Sequence, residues 1–314
     1  MQTMGRADVH CHTSHSGFTN FSAIPYPESV TSPADMVDAA ARAGLDVICI
    51  TDHNTIKGAR IARRYAATSG VHTRVVMGEE ITTSDGELLG IFIEEEIPQG
   101  LSAFETVDRI HSQGGLAIAP HPFSYHCPSL GDLISSLKLD GIEILNAGHR
   151  DHYVNRIADM HCNSNIARIG SSDAHTPITI GNAYSLFEGE SPDDLFKAIK
   201  NCRTVPEGHS NSLGNYIGWS VEMAQGVSKR LMIPEELQSP DDPLARMYRM
   251  RSYSKAIALI GSAMYVSTPL PIVAGIVGEG MVRYKGRKKW GQVMGYQPLS
   301  IHNWMMGIWR HFIR

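Results

Sequence analysis

Short apolar runs that end abruptly in a histidine or an acid recur along the first two-thirds of this chain, and nothing else restricts its fold as strongly. Leu45-Asp46-Val47-Ile48-Cys49-Ile50 runs into Thr51-Asp52-His53-Asn54. Arg74-Val75-Val76-Met77 is followed by Gly78-Glu79-Glu80-Ile81, and Leu116-Ala117-Ile118-Ala119 by Pro120-His121-Pro122-Phe123. Ala167-Arg168-Ile169-Gly170 leads to Ser171-Ser172-Asp173-Ala174-His175. Runs of this length and apolarity read as buried strands of a parallel sheet. Helices are expected between them. Ser32-Pro33 supplies a cap and a first-turn proline, and Gly44 stops that helix. Further helices are expected over residues 56–69, 102–113, 130–137, 154–163 and 191–201, and a turn at Asp85-Gly86 folds residues 88–94 back as a hairpin. Six or seven such units in about 200 residues fit a barrel better than an open sheet, and barrels carry their chemistry at the C-terminal strand ends. His53, Glu80, His121, Asp173 and His175 all stand there.

The first strand adds to this set. In Asp8-Val9-His10-Cys11-His12, the two histidines are two residues apart, so a strand projects them from one face. Neutral imidazoles so paired suit Zn²⁺, Mn²⁺ or Fe²⁺. Acids and imidazoles crowded at one mouth are costly unless they share a metal, because like charges raise one another's pKa. Composition fits an enzyme-sized globular chain: 314 residues, 42% hydrophobic and 19% charged, make one large domain or two smaller ones. A net charge of −4 argues against a mainly electrostatic nucleic-acid binder. Five scattered cysteines without a C-x-x-C pair suggest reduced thiols, and the N-terminus has no apolar signal-peptide core, so a cytoplasmic protein is expected. Walker and Rossmann glycine loops are absent, as is a Gly-x-Ser-x-Gly elbow.

In order and strand context, Asp8-Val9-His10-Cys11-His12, Thr51-Asp52-His53-Asn54, Gly78-Glu79-Glu80-Ile81, Pro120-His121-Pro122 and Ser172-Asp173-Ala174-His175 resemble the PHP (polymerase and histidinol phosphatase) family over residues 5–205. The resemblance implies a distorted (β/α)₇ TIM-like barrel with two or three divalent ions (Zn, Mn or Fe), used for phosphoester hydrolysis by a water bridging the metals. It implies that His10, His12, Glu80 and Asp173 hold one metal. Glu80 would bridge to a second held by His121, and His53 and His175 would hold a third. Two departures stand out. Where the family has an Asp in a Ser-Asp-Gly turn, Glu28 stands at the matching distance before Ser32-Pro33. Where many members have Gly-His after the bridging Glu, this chain has Gly86-Glu87, so either Glu87 ligates or the second site is weakened. His149, in Asn146-Ala147-Gly148-His149-Arg150, completes the second site, contacts phosphate, or is a plain surface residue. Arg150 is a candidate phosphate contact, because a planar guanidinium binds phosphate bidentately. His126, His152 and His161 read as structural or surface groups. The substrate expected is a small phosphomonoester or a nucleic-acid end. Rivals are hydrolysis of a C–N bond and a degenerate metal-binding module.

Residues 206–314 read as a mainly helical extension. A helix is expected over 216–231 and a proline-rich linker over 231–243. Residues 256–278 then run without a charge, interrupted by Pro269 and Pro271, with Arg246, Arg249, Arg251 and Lys255 before and Arg283, Lys285, Arg287, Lys288 and Lys289 after. Positive charge on both sides suits a re-entrant hairpin or a helix pair on an anionic membrane surface, which would make the protein peripheral to the membrane. The basic cluster also suits a nucleic-acid substrate. Ile301, Trp304, Met305, Ile308, Trp309 and Phe312 share one helical face, either interfacial or docked on the barrel.

Overall fold

A computed structural model describes residues 3–19, 25–151 and 153–295. The helical face expected over 301–312 and His152 lie outside the described residues. In chain order the elements are β1 (Met4–Cys11), a small hairpin of β2 (Phe18–Thr19) and β3 (Tyr26–Pro27), α1 (Pro33–Arg42), β4 (Val47–Ile50) and α2 (Lys57–Ser69). Next come β5 (Arg74–Thr82), β6 (Glu87–Ile91), α3 (Ala103–Ser112), β7 (Leu116–Ala119), β8 (Gly141–Asn146), α4 (Tyr153–His161) and β9 (Ala167–Ser171). They are followed by β10 (Ala183–Glu188), α5 (Pro192–Lys200), β11 (Val205–Gly208), α6 (Leu213–Leu231), α7 (Ser252–Ser267) and α8 (Leu270–Trp290).

Nine strands form one sheet in the order β11-β10-β1-β4-β5-β6-β7-β8-β9. The sheet curls into a nearly closed barrel. The segment after β9 closes onto β1, where Asp173 N–H donates to the His10 carbonyl (2.9 Å) and His12 N–H to that of Ala174 (2.8 Å). Gly170 permits the approach, because a Cβ there would lie 2.5 Å from the Tyr184 carbonyl oxygen. The sheet is mixed, where the alternation of strands and helices had implied a parallel one. β6 runs antiparallel to β5 and β7, as the Asp85-Gly86 turn requires, and β10 is antiparallel to both β1 and β11. β10 and β11 were not expected from the sequence. β10 alternates buried and half-exposed residues, the period-2 signature of a strand with one wet face. The helix expected over 130–137 is only a 3₁₀ turn, Gly131–Ser135, which starts from a left-handed Gly131 (φ +55°).

Helix starts follow their caps. Ser32, Ser102 and Ser191 each accept the amide hydrogen three residues on. Two apolar layers fill the barrel. Val47, Cys49, Val76, Leu89, Ile118 and Ile169 pack together with Leu195 and Ile199 of α5, while Ile48, Ile50, Met77 and Ile142 pack under the outer helices. That alternation fixes which strand residues face inward.

In the extension, Val227 and Leu231 of α6 form a small core with Leu244 and Met247. α8 is tied to the barrel by Trp290 Nε1–H donating to the Phe123 carbonyl (3.2 Å) and Tyr125 Oη–H to that of Val282 (2.6 Å).

Candidate metal centre

β1 carries one extra residue relative to β4 between Asp8 and Cys11. This bulge matters for the site. Val9 packs with the inward layer and Cys11 with the outer one, so the extra residue turns both His10 and His12 toward the mouth. A second irregularity, between Glu143 and Leu145 of β8, lies beside β9.

The result is a dense convergence of ligand atoms. His10 Nε2 and His12 Nε2 are 3.0 Å apart. Glu80 Oε2 lies 3.2 Å from the first, 3.3 Å from the second and 3.3 Å from His53 Nδ1. Asp173 Oδ1 is 3.5 Å and 3.4 Å from the same two Nε2 atoms. The other oxygen of Glu80 is 3.1 Å from His121 Nε2, so this one carboxylate touches four imidazoles. The His175 ring stacks on His12 with centroids 4.2 Å apart. Glu87 joins from β6, 3.9 Å from both His53 Nδ1 and His121 Nε2. Ligand atoms lie within 4.8 Å of one another in His10/His12/Asp173, His10/Glu80/His121, His53/Glu80/Glu87, His12/His53/His175 and His121/Cys127/His149.

Behind these groups stands a second ring of partners that fixes their orientation. His10 Nδ1 contacts Glu143 Oε1 at 2.8 Å. Glu143 also accepts the backbone amide of His121 (2.8 Å), the side-chain amide of Asn146 (2.9 Å) and the Ser171 hydroxyl. His12 Nδ1 meets Ser16 Oγ at 2.9 Å, and Ser16 donates to Asp52 Oδ1 at 2.8 Å. Asp52 in turn accepts the Thr13 hydroxyl at 2.7 Å. A Cβ on Gly58 would lie 1.9 Å from Asp52 Oδ2, so glycine is required where α2 passes this cradle. Two site residues sit in the left-handed region, His121 at φ +26° and Asp173 at φ +51°. Such backbone conformations persist only where surrounding contacts hold them, and they concentrate at functional sites.

Chemistry decides what fits. With Nδ1 of His10 donating to Glu143, its Nε2 presents a lone pair toward two carboxylate oxygens and a second imidazole nitrogen. Such a group of acceptors is satisfied by a cation, and nitrogen with carboxylate oxygen is a set for Zn²⁺, Mn²⁺ or Fe²⁺. The buried Nδ1 of His121, whose Nε2 meets Glu80, has no hydrogen-bond partner. Protons otherwise hold the charges together. Burial pushes His12 and His121 down, but the hydrogen bonds that His12 donates to Asp173 and Glu80, and His121 to Glu80, outweigh it and leave both at about 9. Burial, then the neighbouring cation of His121 for His149 and of His12 for His175, pushes these two down to about 3, leaving neutral imidazoles. Burial and the charge of Glu80 push Glu87 up to about 8.

Outside the cluster, a cleft of about 510 Å³ opens over Asp173 and His175. Glu28 and His149 line one wall, and Tyr216, Trp219 and Val282 of the C-terminal helices line another. Burial raises the Glu28 pKa. Arg150 also reaches this cleft, yet its guanidinium is 2.9 Å from Glu279 Oε2 and lies 4.1 Å above the Tyr216 ring. His126, read as structural or surface, lines the cleft beside His149. His161 packs its ring on Phe123 (4.5 Å), away from the cluster.

Sequence reasoning missed Glu143, Cys127, Ser16 and the aromatic wall. A charge inside the apolar strand Gly141–Asn146 was a usable sign for Glu143. Nothing local distinguishes Cys127, Ser16, Tyr216 or Trp219.

Residues 156–204 match a family model described as PHP-associated. The chain is 48% identical over 153 residues to the uncharacterized protein MJ1587 of Methanocaldococcus jannaschii, covering 49% of this chain and 88% of that one. It is 36% identical over 114 residues to MJ1588 of the same organism, covering 36% and 99%. Among solved structures, a two-domain protein from Bacteroides vulgatus containing a predicted PHP-like metal-dependent phosphoesterase matches with a TM-score of 0.53 at 21% identity, covering 66% of each chain. PsfC from Pseudomonas syringae matches with a TM-score of 0.53 at 16% identity, covering 71% of this chain and 99% of that one. Those identities establish shared architecture, and the matched segment falls on α4, β9, β10 and α5 of the same barrel. The motifs of the five strand ends thus meet in one mouth on a barrel of the expected kind, and the chain belongs to the PHP-domain family.

Proposed function

We propose that this protein is a metal-dependent phosphoesterase. The observation that carries the reading is the convergence of His10, His12, Glu80 and Asp173 within 3.0–3.5 Å, with His53 and His121 on the same Glu80 carboxylate. His10, His12, Glu80 and Asp173 would hold one ion. Glu80 and His121, with Glu87 or with Cys127 and His149, would hold a second, and His53 and His175 a third, for which Glu28, on the same cleft as His175, is a further candidate ligand. Ions held there supply Lewis-acid polarisation of a phosphoryl oxygen and a more acidic bound water. The chain's own part is orientation. Glu143 and Ser16 fix the tautomers of His10 and His12, Asp173 and His175 face the cleft, and Tyr216 and Trp219 offer flat surfaces for the rest of the substrate. Glu87 stands inside the cluster, which favours a working site over a degenerate one.

The test is elemental analysis of the purified protein together with hydrolysis of an aryl phosphate with Mn²⁺ added. About two or three ions per chain and turnover that vanishes with chelator are expected. One ion or none, without turnover, would overturn the reading.

A further inference from the structure

Exposed large apolar side chains are scattered singly over the barrel, as at Ile61, Phe104 and Met160, but recur in a series along α7 and α8. α7 buries none of its hydrophobic residues. Tyr253, Ile257, Ile260 and Met264 recur at helical spacing along it and are 57–61% exposed. On α8, Leu270, Val273, Val277 and Met281 repeat the pattern at 47–55% exposed. Between Lys255 and Glu279 there is no Asp, Glu, Lys or Arg. No single helix among the described residues is long and apolar enough to cross a membrane, but α7 and α8 together are, bent by 85° at their junction. That bend follows from the sequence, since Pro269 caps α8 and Pro271 occupies its first turn. A run of exposed apolar side chains along two successive helices marks a binding face.

Charge selects what binds it. Residues 246–289 hold nine Lys and Arg against one acid, in a chain of net charge −4. Arg246, Arg249 and Arg251 are exposed just before the uncharged run, and Arg283, Lys285, Lys288 and Lys289 just after it. An apolar stripe rimmed by cations at both ends complements acyl chains beneath anionic headgroups. The same helix also reaches the cleft. Gly278 and Val282 of α8 line it, each one residue from Val277 and Met281 on the outer face. On α6, Trp219 lines the cleft as well, with a buried Nε1–H that has no partner and can donate to a ligand oxygen. The docking face and the cleft wall are thus separated by no more than the width of one helix, about 10 Å.

We propose that α7–α8 seats on an anionic bilayer and that the cleft takes its phosphoester from a membrane lipid. The second half rests on the phosphoesterase reading above. Seated this way, the helix pair brings the metal centre to headgroup level, and the lipid phosphate enters beside Trp219.

The experiment uses the full chain, phosphatidylcholine vesicles with or without about a quarter phosphatidylglycerol, and an Ile260→Asp/Met264→Asp double variant. The wild type is expected to float with the anionic vesicles and not with the neutral ones. The double variant is expected to remain behind while keeping its helical circular dichroism and its aryl phosphate turnover. With phosphatidic acid in the vesicles, phosphate release should fall at least about tenfold in the variant, reflecting lost surface concentration. A wild type that does not float, or a variant that floats equally well, overturns the docking face. Dimers that the double variant dissolves, or flotation gained on truncation after residue 295, would give that face to a second copy or to the chain's own terminus. Flotation without lipid turnover, with the aryl phosphate still hydrolysed, overturns the lipid substrate alone. Loss of aryl phosphate hydrolysis in the wild type would instead be failure of the phosphoesterase reading.

Discussion

The barrel mouth and the bent helix pair invert each other. At the mouth, His10, His12, Glu80 and Glu143 are charged or polar and at most 1% exposed. On α7 and α8, Ile257, Ile260, Met264 and Val273 are apolar and more than half exposed. Both arrangements are unfavourable on their own terms. Burying a carboxylate without a partner costs several kcal/mol, and each exposed large aliphatic forgoes about 1.5–3 kcal/mol of burial. A stable chain tolerates such features where a partner offsets them, and the partner has the opposite character. The mouth calls for cations and the helix face for an apolar surface.

The largest effect expected from breaking this contrast is at Glu80. Glu80→Gln keeps the shape and removes the charge shared by four imidazoles, so metal content should fall and aryl phosphate turnover should drop by about 10²–10³. Ile272→Ser on the exposed side of α8 should leave both unchanged. Elemental analysis and steady-state kinetics read the two variants side by side. If the pair behaves the other way round, the chemistry does not lie at the mouth.

Glu143 sharpens the same point one step further out. It touches no substrate-facing space, yet it holds His10 Nδ1, the His121 amide and Asn146. Glu143→Gln should lower metal affinity or turnover by about 10–100-fold, the range for partners that orient a ligand. Activity restored by raising the metal concentration would assign the loss to affinity.

Metal uptake should also depend on pH, with a definite sign. In the metal-free protein His12 and His121 lie at about 9, so both carry protons at neutral pH. An ion must displace those protons, so apparent affinity rises with pH, by up to about tenfold per unit for each proton released, and levels off above about 9. Titration calorimetry in buffers of different ionisation enthalpy counts the protons directly. Affinity independent of pH from 6 to 9 would show that these histidines do not ligate.

How much of this was legible in the sequence follows the same contrast. Strand-end residues could be found because a parallel strand is short and continuously apolar, so the first polar residue after it marks the mouth. His53, Glu80, His121, Asp173 and His175 were found that way. His10 and His12 were found through their spacing, although the bulge that turns them inward was not legible. Glu143 sits within a strand, where period-2 reasoning gives no hint of a register shift two residues later. β10 was overlooked because Ala183-Tyr184-Ser185-Leu186-Phe187-Glu188 shows no polar–apolar alternation, with a serine buried and a leucine half-exposed, and its partner, β1, is about 180 residues away. The aromatic wall was illegible for another reason. Tyr216 and Trp219 lie on a helix whose docking over the mouth depends on tertiary packing, and no local pattern encodes that.

The smallest predicted effect lies where the two regions touch. Arg150 stands at the cleft but is paired with Glu279, on the same helix that carries the exposed face. Two roles for this pair make different predictions. If Arg150 serves the phosphate, Glu279→Gln releases a guanidinium into the cleft, and KM for an aryl phosphate should fall by about threefold to tenfold with kcat little changed, since one charge-assisted hydrogen bond is worth about 1 kcal/mol net. Arg150→Lys should then raise KM, because an ammonium cannot reproduce a bidentate fork. If instead the pair is only a strut holding α8 on the barrel, Glu279→Gln should lower the melting temperature by several degrees, about 1–3 kcal/mol for an ion pair whose side chains are 7% and 18% exposed, and leave KM where it was. Measuring KM and melting temperature on the same two variants separates the roles. A fall in KM would make Arg150 part of the mouth, and its pairing with Glu279 the point at which movement of α8 alters phosphate binding.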